Sequence, residues 1–391
     1  MNNVRDKLGL SSAGDFAAKI VNTKADRCPV NGATSRKLQE ANLIDENSID
    51  QYCSTHPLFE ISSAIDKVFA DYEKKHLDYE KNSTLFSKRG DGDFLTLLKS
   101  ITKLFVSDPH ASLIVAHLKS KGITNIVSKW GRNVGDRLCQ TYSRCETLLA
   151  CQNEILEAIE RRVKPSQRNI VASGAQNNMQ GSLVGGVELG LKSQTTTDLA
   201  IAGAVINQSV MEPLRAISAK DFFTHATEIH EGIEKMTPLI DHTRLMKNFL
   251  TNIEPIFGSK ETQQIQKKTR PTQFIDSTNE EFISTVVQAA FVAVKKKLES
   301  QLKEESAGNF TRENLKAELL KTSDMSDDRA DLVVEHIGKL SSNNMNIESA
   351  VGQSKYNLQK APNMSLAVID AKTRIKMNGT LACLLYTSPS P

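Results

Sequence analysis

His225, Glu228 and His230 are the residues whose types come nearest to a chemical site: two imidazoles and a carboxylate are what a zinc ion takes as ligands. On a helix their spacings of three and two do not put all three on one face. A solvated helix surface is therefore expected there rather than a metal triad. The other histidines, His56, His76, His110, His117, His242 and His336, are scattered, and no H-E-x-x-H occurs. Cys28, Cys53, Cys139, Cys145 and Cys151 include no pair at the two-residue spacing of a zinc knuckle or redox motif. The last three are six apart, about 240° round a helix, so they predict reduced, buried thiols rather than a shared face. Gly174, Gly181, Gly185, Gly186 and Gly190 fit neither nucleotide-loop pattern and suit close backbone approach or a joint. No G-x-S-x-G elbow and no kinase signature set is present. Asp327-Asp328 sit where a helix N-terminus favours negative charge. These residues predict no catalytic role, no metal and no cofactor.

The elements that must position these residues follow from length and patterning. The chain has 391 residues and a formal net charge of +3, too near neutral to announce a nucleic-acid or membrane protein. Aromatics are 5% with a single tryptophan, Trp130, so the core must be mostly aliphatic. The N-terminus has no apolar signal segment, and the longest apolar stretch, Leu199–Ile206, is far below the about 20 residues of a membrane span. A soluble, cytoplasmic protein is expected, with peripheral membrane association as its one link to lipid.

Apolar residues at three- and four-residue spacing predict helices almost throughout. One begins at Pro57 and carries Leu58, Ile61, Ile65, Val68 and Phe69; Arg89-Gly90-Asp91-Gly92 breaks it as a turn. Phe94–Val106 is a second. Asp108 as N-cap and Pro109 at the first position start a third, which Gly122 ends. Thr124–Lys164 reads as one long helix. Its seam of coiled-coil type, for a dimer partner or for packing between helices, is formed by Val134, Leu138, Cys145, Leu148, Ile155 and Ile159, with Thr141 and Gln152 in the two remaining places. Thr197-Asp198 opens the next helix, which Pro213 kinks or ends; Ala219–Met236 and Leu239–Ile253 follow, punctuated by Pro238 and Pro255. Asn279–Glu305, Arg312–Lys321 and Asp327–Leu340 complete the set. Ser365–Ile369 and Thr373–Met377 read as a short hairpin.

The fold class is mainly α, long amphipathic helices forming a bundle. Its divisions are an irregular segment at 1–45, helical regions at 46–122 and 123–257, a basic linker at 258–278, a helical region at 279–342 and a weakly structured part at 343–382. The last nine residues, 383–391, read as translated sequencing-adapter sequence.

Val210-Met-Glu-Pro-Leu-Arg-Ala-Ile-Ser-Ala-Lys220-Asp221 resembles the middle helix of BAR domains, and Gly186-Val-Glu-Leu-Gly190 resembles a turn of the endophilin-like members. Glu228-Ile-His-Glu-Gly-Ile-Glu-Lys235 and Leu239-Ile-Asp241 resemble the continuation of that helix, and Thr124–Lys164 stands where the first would be. The resemblance covers residues 124–257. It implies a helical homodimer that binds an anionic phospholipid surface. On that reading the tip carries Lys260, Lys267, Lys268 and Arg270, and Lys295, Lys296 and Lys297 form a second basic patch. Residues 279–377 resemble the layout of COMM-domain adaptors, which implies a helical protein partner. The main expectation is a non-enzymatic scaffold on anionic membranes. The alternative is a soluble helical adaptor or assembly subunit, COMM-like or viral, without lipid contact. Small net charge and sparse aromatics argue against nucleic acid as a partner.

Overall fold

The fold is that of a computed structural model, which describes residues 22–25, 49–52, 55–76, 93–124, 126–130, 141–164, 183–218, 220–258, 270–304, 311–322 and 326–339, with the single positions 37 and 40. The predicted hairpin at 365–377 lies outside these residues. Two compact units are present: one joins residues 57–217 with 224–310, the other joins 1–56, 218–223 and 311–391.

The larger unit is mainly helical, as the periodicity predicts. Its elements are α1 (Thr55–His76), α2 (Asp93–Val106), α3 (Ala111–Ser120), α4 (Ile126–Trp130), α5 (Thr141–Arg162), α6 (Leu183–Lys192) and α7 (Gln194–Ile206). They are followed by α8 (Glu212–Ile217), α9 (Phe222–Asp241, whose first two residues belong to the smaller unit), α10 (Thr243–Thr251) and α11 (Glu280–Glu304). Ile61, Ile65 and Phe69 of α1 are each four residues apart, share one face and are fully buried. Phe94, Leu97, Leu98, Ile101, Leu104 and Phe105 do the same on α2. The first turn of α2 is tied to α1 directly: the Phe94 amide donates to Oε1 of the buried Glu73 at 2.7 Å.

Helix α7 is the centre of this unit. Every residue from Asp198 to Ile206 is buried, the pattern of a helix enclosed on all sides. Helices α5 and α11 flank it, and α6 packs on it as well. The approach of α5 is close. A Cβ on Gly203 would lie 2.5 Å from Cys145 Sγ, so only glycine fits there without a shift. Gly190 of α6 plays the same part against Leu97, 2.9 Å from where its Cβ would be, in line with the close backbone approach predicted for the glycine run.

Past Ile206 the chain makes one π turn, Asn207–Met211, and continues as α8. Pro213 lacks the N–H that would bond the carbonyl four residues back, that of Ser209. The Ile256 amide takes its place on the Ser209 carbonyl at 2.9 Å. The predicted break at Pro213 is thus a change of helical register, and its freed acceptor anchors the 252–258 segment.

Four expectations need correction. The first concerns the helix predicted over 124–164. If it were continuous, Trp130 and Arg144 would be about 21 Å apart along the axis. Instead, Arg144 Nε donates to the Trp130 carbonyl at 3.0 Å, so α4 folds back against α5. Helix α5 is itself kinked at Cys151, where φ is −146°. The second concerns α7, which starts earlier than Thr197: Ser193 is its N-cap, and its hydroxyl accepts from the Thr196 amide. The third concerns α3, which starts later than Pro109. Asp108 caps the turn ahead of it, accepting from the His110 amide at 2.8 Å. The fourth is Pro238, which does not end its helix. It sits inside α9, and the break falls at His242, whose backbone is extended. Gly122 does follow α3 with φ +82°, the conformation expected of a residue just past a helix end.

The smaller unit contains a parallel pairing of β1 (Asn22–Ala25) with β2 (Ile49–Tyr52), in the register Asn22 to Ile49. It also contains two helices of similar length that pack on each other, α12 (Arg312–Thr322) and α13 (Asp327–Lys339). Ser326 caps α13 through the Arg329 amide, and Asp327 and Asp328 occupy its first turn as predicted. Among the described residues no helix is long and apolar enough to cross a membrane.

Candidate functional site

The interior of the larger unit is crossed by polar side chains that each join two or more helices. At the N-terminal end of α7, Asp198 is buried. Its Oδ1 accepts from Gln194 Nε2 at 2.8 Å and from Asn279 Nδ2 at 3.2 Å. The same Asn279 amide group donates to the Phe274 carbonyl at 3.1 Å, and its Oδ1 accepts the Asp276 amide at 2.9 Å. From α5, Gln152 Nε2 donates to the Leu191 carbonyl at 2.7 Å and to Thr197 Oγ1 at 3.1 Å. One carboxylate and two amides thus fix α5, α6, α7 and the start of α11 together. Asn279→Ala removes these bonds around a buried carboxylate. It should cost about 2 kcal/mol in urea unfolding, with no change in the slope. A loss below about 0.5 kcal/mol would mean that water replaces the amide without penalty.

A second set of polar ties lies on α5 and the helices packed against it. Tyr142 donates its hydroxyl to Asp66 Oδ1 at 2.6 Å, and Trp130 Nε1 donates to Thr102 Oγ1 at 2.8 Å. Asn207, the first residue of the π turn, donates to Glu146 Oε1, both side chains being buried. Between them, burial pushes the Cys145 thiol well above its ordinary range. It is held protonated, unlike the thiolate a nucleophile needs. The buried, reduced thiols predicted at Cys145 and Cys151 are found as free thiols.

Of the predicted packing seam, Cys145, Leu148, Ile155 and Ile159 are fully buried within the chain's own core; Val134 and Leu138 lie outside the described residues. Of the two residues that interrupt the apolar seam, Thr141 is buried and Gln152 is the tie from α5 to α6 and α7.

The expected solvated surface at His225, Glu228 and His230 needs correction. His225 and Glu228 are buried, and His225 Nδ1 lies 3.2 Å from the Ile217 carbonyl. Residues three apart share a helix face, and that face of α9 packs inward. His230 alone is exposed, with its Nε2 3.5 Å from Glu234. Among the described residues no three histidine, cysteine or carboxylate side chains are grouped to hold a metal ion.

The predicted basic patches are placed in part. Lys260, Lys267 and Lys268 lie outside the described residues, and Arg270 is exposed ahead of the 3-10 turn Pro271–Phe274. In the triplet on α11, Lys295 Nζ donates to Thr237 Oγ1 at 3.0 Å, and Lys297 pairs with Glu60 of α1 at 3.3 Å; Lys296 is exposed.

Another surface ion cluster lies where α3 meets α5. Glu157 takes Lys121 at 3.1 Å and Arg161 at 3.0 Å, with His117 Nε2 3.9 Å away. The hydrogen bond from Lys121 holds the Glu157 carboxyl below its ordinary value of 4.5. A lowered folded-state value means the contribution is present above the unfolded value and is lost as pH falls through the folded one. Wild-type stability should therefore fall more steeply than that of Glu157→Gln as pH drops below 4.5. Parallel acid limbs for the two proteins would show that the cluster adds nothing to α3–α5 packing.

No family model matches the chain, no curated protein matches its sequence, and no solved structure matches its fold. The fold and the polar interior define a mainly helical protein whose buried polar groups join its helices.

Proposed function

We propose that the chain is a non-enzymatic helical adaptor or assembly subunit that works through contacts with another protein chain. The observation that supports this reading is the central position of α7. A helix enclosed on every side fits a unit built around one core better than the three-helix bundle that the BAR resemblance implies. The basic triplet adds to it. Two of its three lysines are held by Thr237 and Glu60 within the unit, which leaves Lys296 and Arg270 as the described candidates for an anionic surface.

Light-scattering mass across a hundredfold range of concentration tests this. The proposal expects a mass above that of the single chain, rising with concentration, or a stable complex with a helical partner. A mass of 43.2 kDa throughout, with no partner retained, would contradict it.

A further inference from the structure

The smaller unit has a core of its own, and that core closes on two residues from far away in the sequence. Leu315 and Leu319 of α12 and Val333 and Ile337 of α13 are buried together with Phe222 and Phe223. The two rings meet edge to face at 5.3 Å, and the Arg312 guanidinium lies over the Phe223 ring at 4.9 Å. Gly338 leaves room for that guanidinium: a Cβ there would sit 2.5 Å from Arg312 Nη2. Lys316 ties the two helices, bonding Asp327 at 2.8 Å and Asp331 at 2.7 Å.

Helices of 11 and 13 residues are marginal when isolated, because nucleation is unfavourable and few bonds follow it. Exposed ion pairs such as those of Lys316 add little. The helicity of both elements therefore rests on the small shared core, and within it the aromatic pair supplies the largest side chains. A satellite core of this size opens at lower free energy than the main core.

We propose that residues 311–339 form a helical clasp over Phe222 and Phe223 that opens as one unit, well below global unfolding, and uncovers the aromatic pair at the start of α9. The clasp is a conformational device: closed, it hides two adjacent rings; open, it presents them while the core around α7 stays folded.

Native-state hydrogen exchange on the full chain, read by peptide in low urea, tests it. Peptides within 312–322 and 327–339 should exchange together, at least about tenfold faster than those of 195–206 and 283–298, with weaker urea dependence. Phe223→Ala should speed exchange in both clasp helices at least about tenfold further and leave 195–206 unchanged. Arg312→Ala, which cannot unfold the core, should do the same by about threefold. The proposal is overturned if the clasp helices share the protection and urea dependence of α7, or are unprotected in the wild type. It is overturned equally if either variant accelerates both units by the same factor, or neither variant changes the clasp.

Discussion

Gly203→Ala should destabilise the protein by about 2–3 kcal/mol, and Cys145→Ala should recover part of that loss when the two are combined. Gly203 lies in the middle of the central helix, and a Cβ there would be 2.5 Å from Cys145 Sγ and 3.2 Å from Cys145 Cβ. The thiol cannot move aside, since Cys145 is fully buried and its Sγ already lies 3.7 Å from the Thr141 carbonyl. Removing the sulfur takes away the shorter contact and leaves the 3.2 Å one, which a shift of a few tenths of an ångström relieves. Cys145→Ala alone should cost about 1 kcal/mol, as one buried atom is lost. The double variant should then be more stable than the sum of the two losses by about 1–2 kcal/mol. Additivity to within about 0.5 kcal/mol would show that α5 and α7 are not in contact through this pair.

Asn207→Ala should cost about 3 kcal/mol, because it strips a donor from a carboxylate inside the protein. Asn207 is 1% exposed and Glu146 8%, so water does not take over the lost bond. Glu146→Gln should be far milder, about 1 kcal/mol or less, since its amide oxygen still accepts from Asn207. Urea unfolding of both variants checks the contrast. Equal losses would mean that the charge on Glu146, rather than the bond to Asn207, sets the energy.

The legible and illegible parts of this fold divide along a physical line. Helices α2 and α11 have one buried stripe each, and a stripe is what three- and four-residue spacing reveals. Helix α7 is apolar on every side from Leu199 to Ile206, so that run marks burial but shows no stripe to say which helices enclose it. The 124–164 pattern keeps its spacing from end to end, and what separates α4 from α5 is tertiary contact such as the Arg144–Trp130 bond. The polar interior was hidden for a related reason. Asp198 and Asn279 are 81 residues apart and Glu146 and Asn207 are 61 apart, distances over which local patterning carries no information. His225 and Glu228 could have been read: as a pair three residues apart they share a face, and grouping them with the exposed His230 concealed it. The Pro213 break was legible, and its consequence at Ile256 was not.

The assembly role is tested most directly by co-sedimentation of the full chain with anionic and neutral vesicles, at low and high salt. The proposal predicts that the chain stays in the supernatant with both vesicle types, with its mass set by protein contacts alone. Pelleting with anionic vesicles only, lost at high salt because exposed charges are screened within about 8 Å, and weakened by Lys267→Glu with Lys268→Glu, would contradict it. That result would make the chain a membrane scaffold.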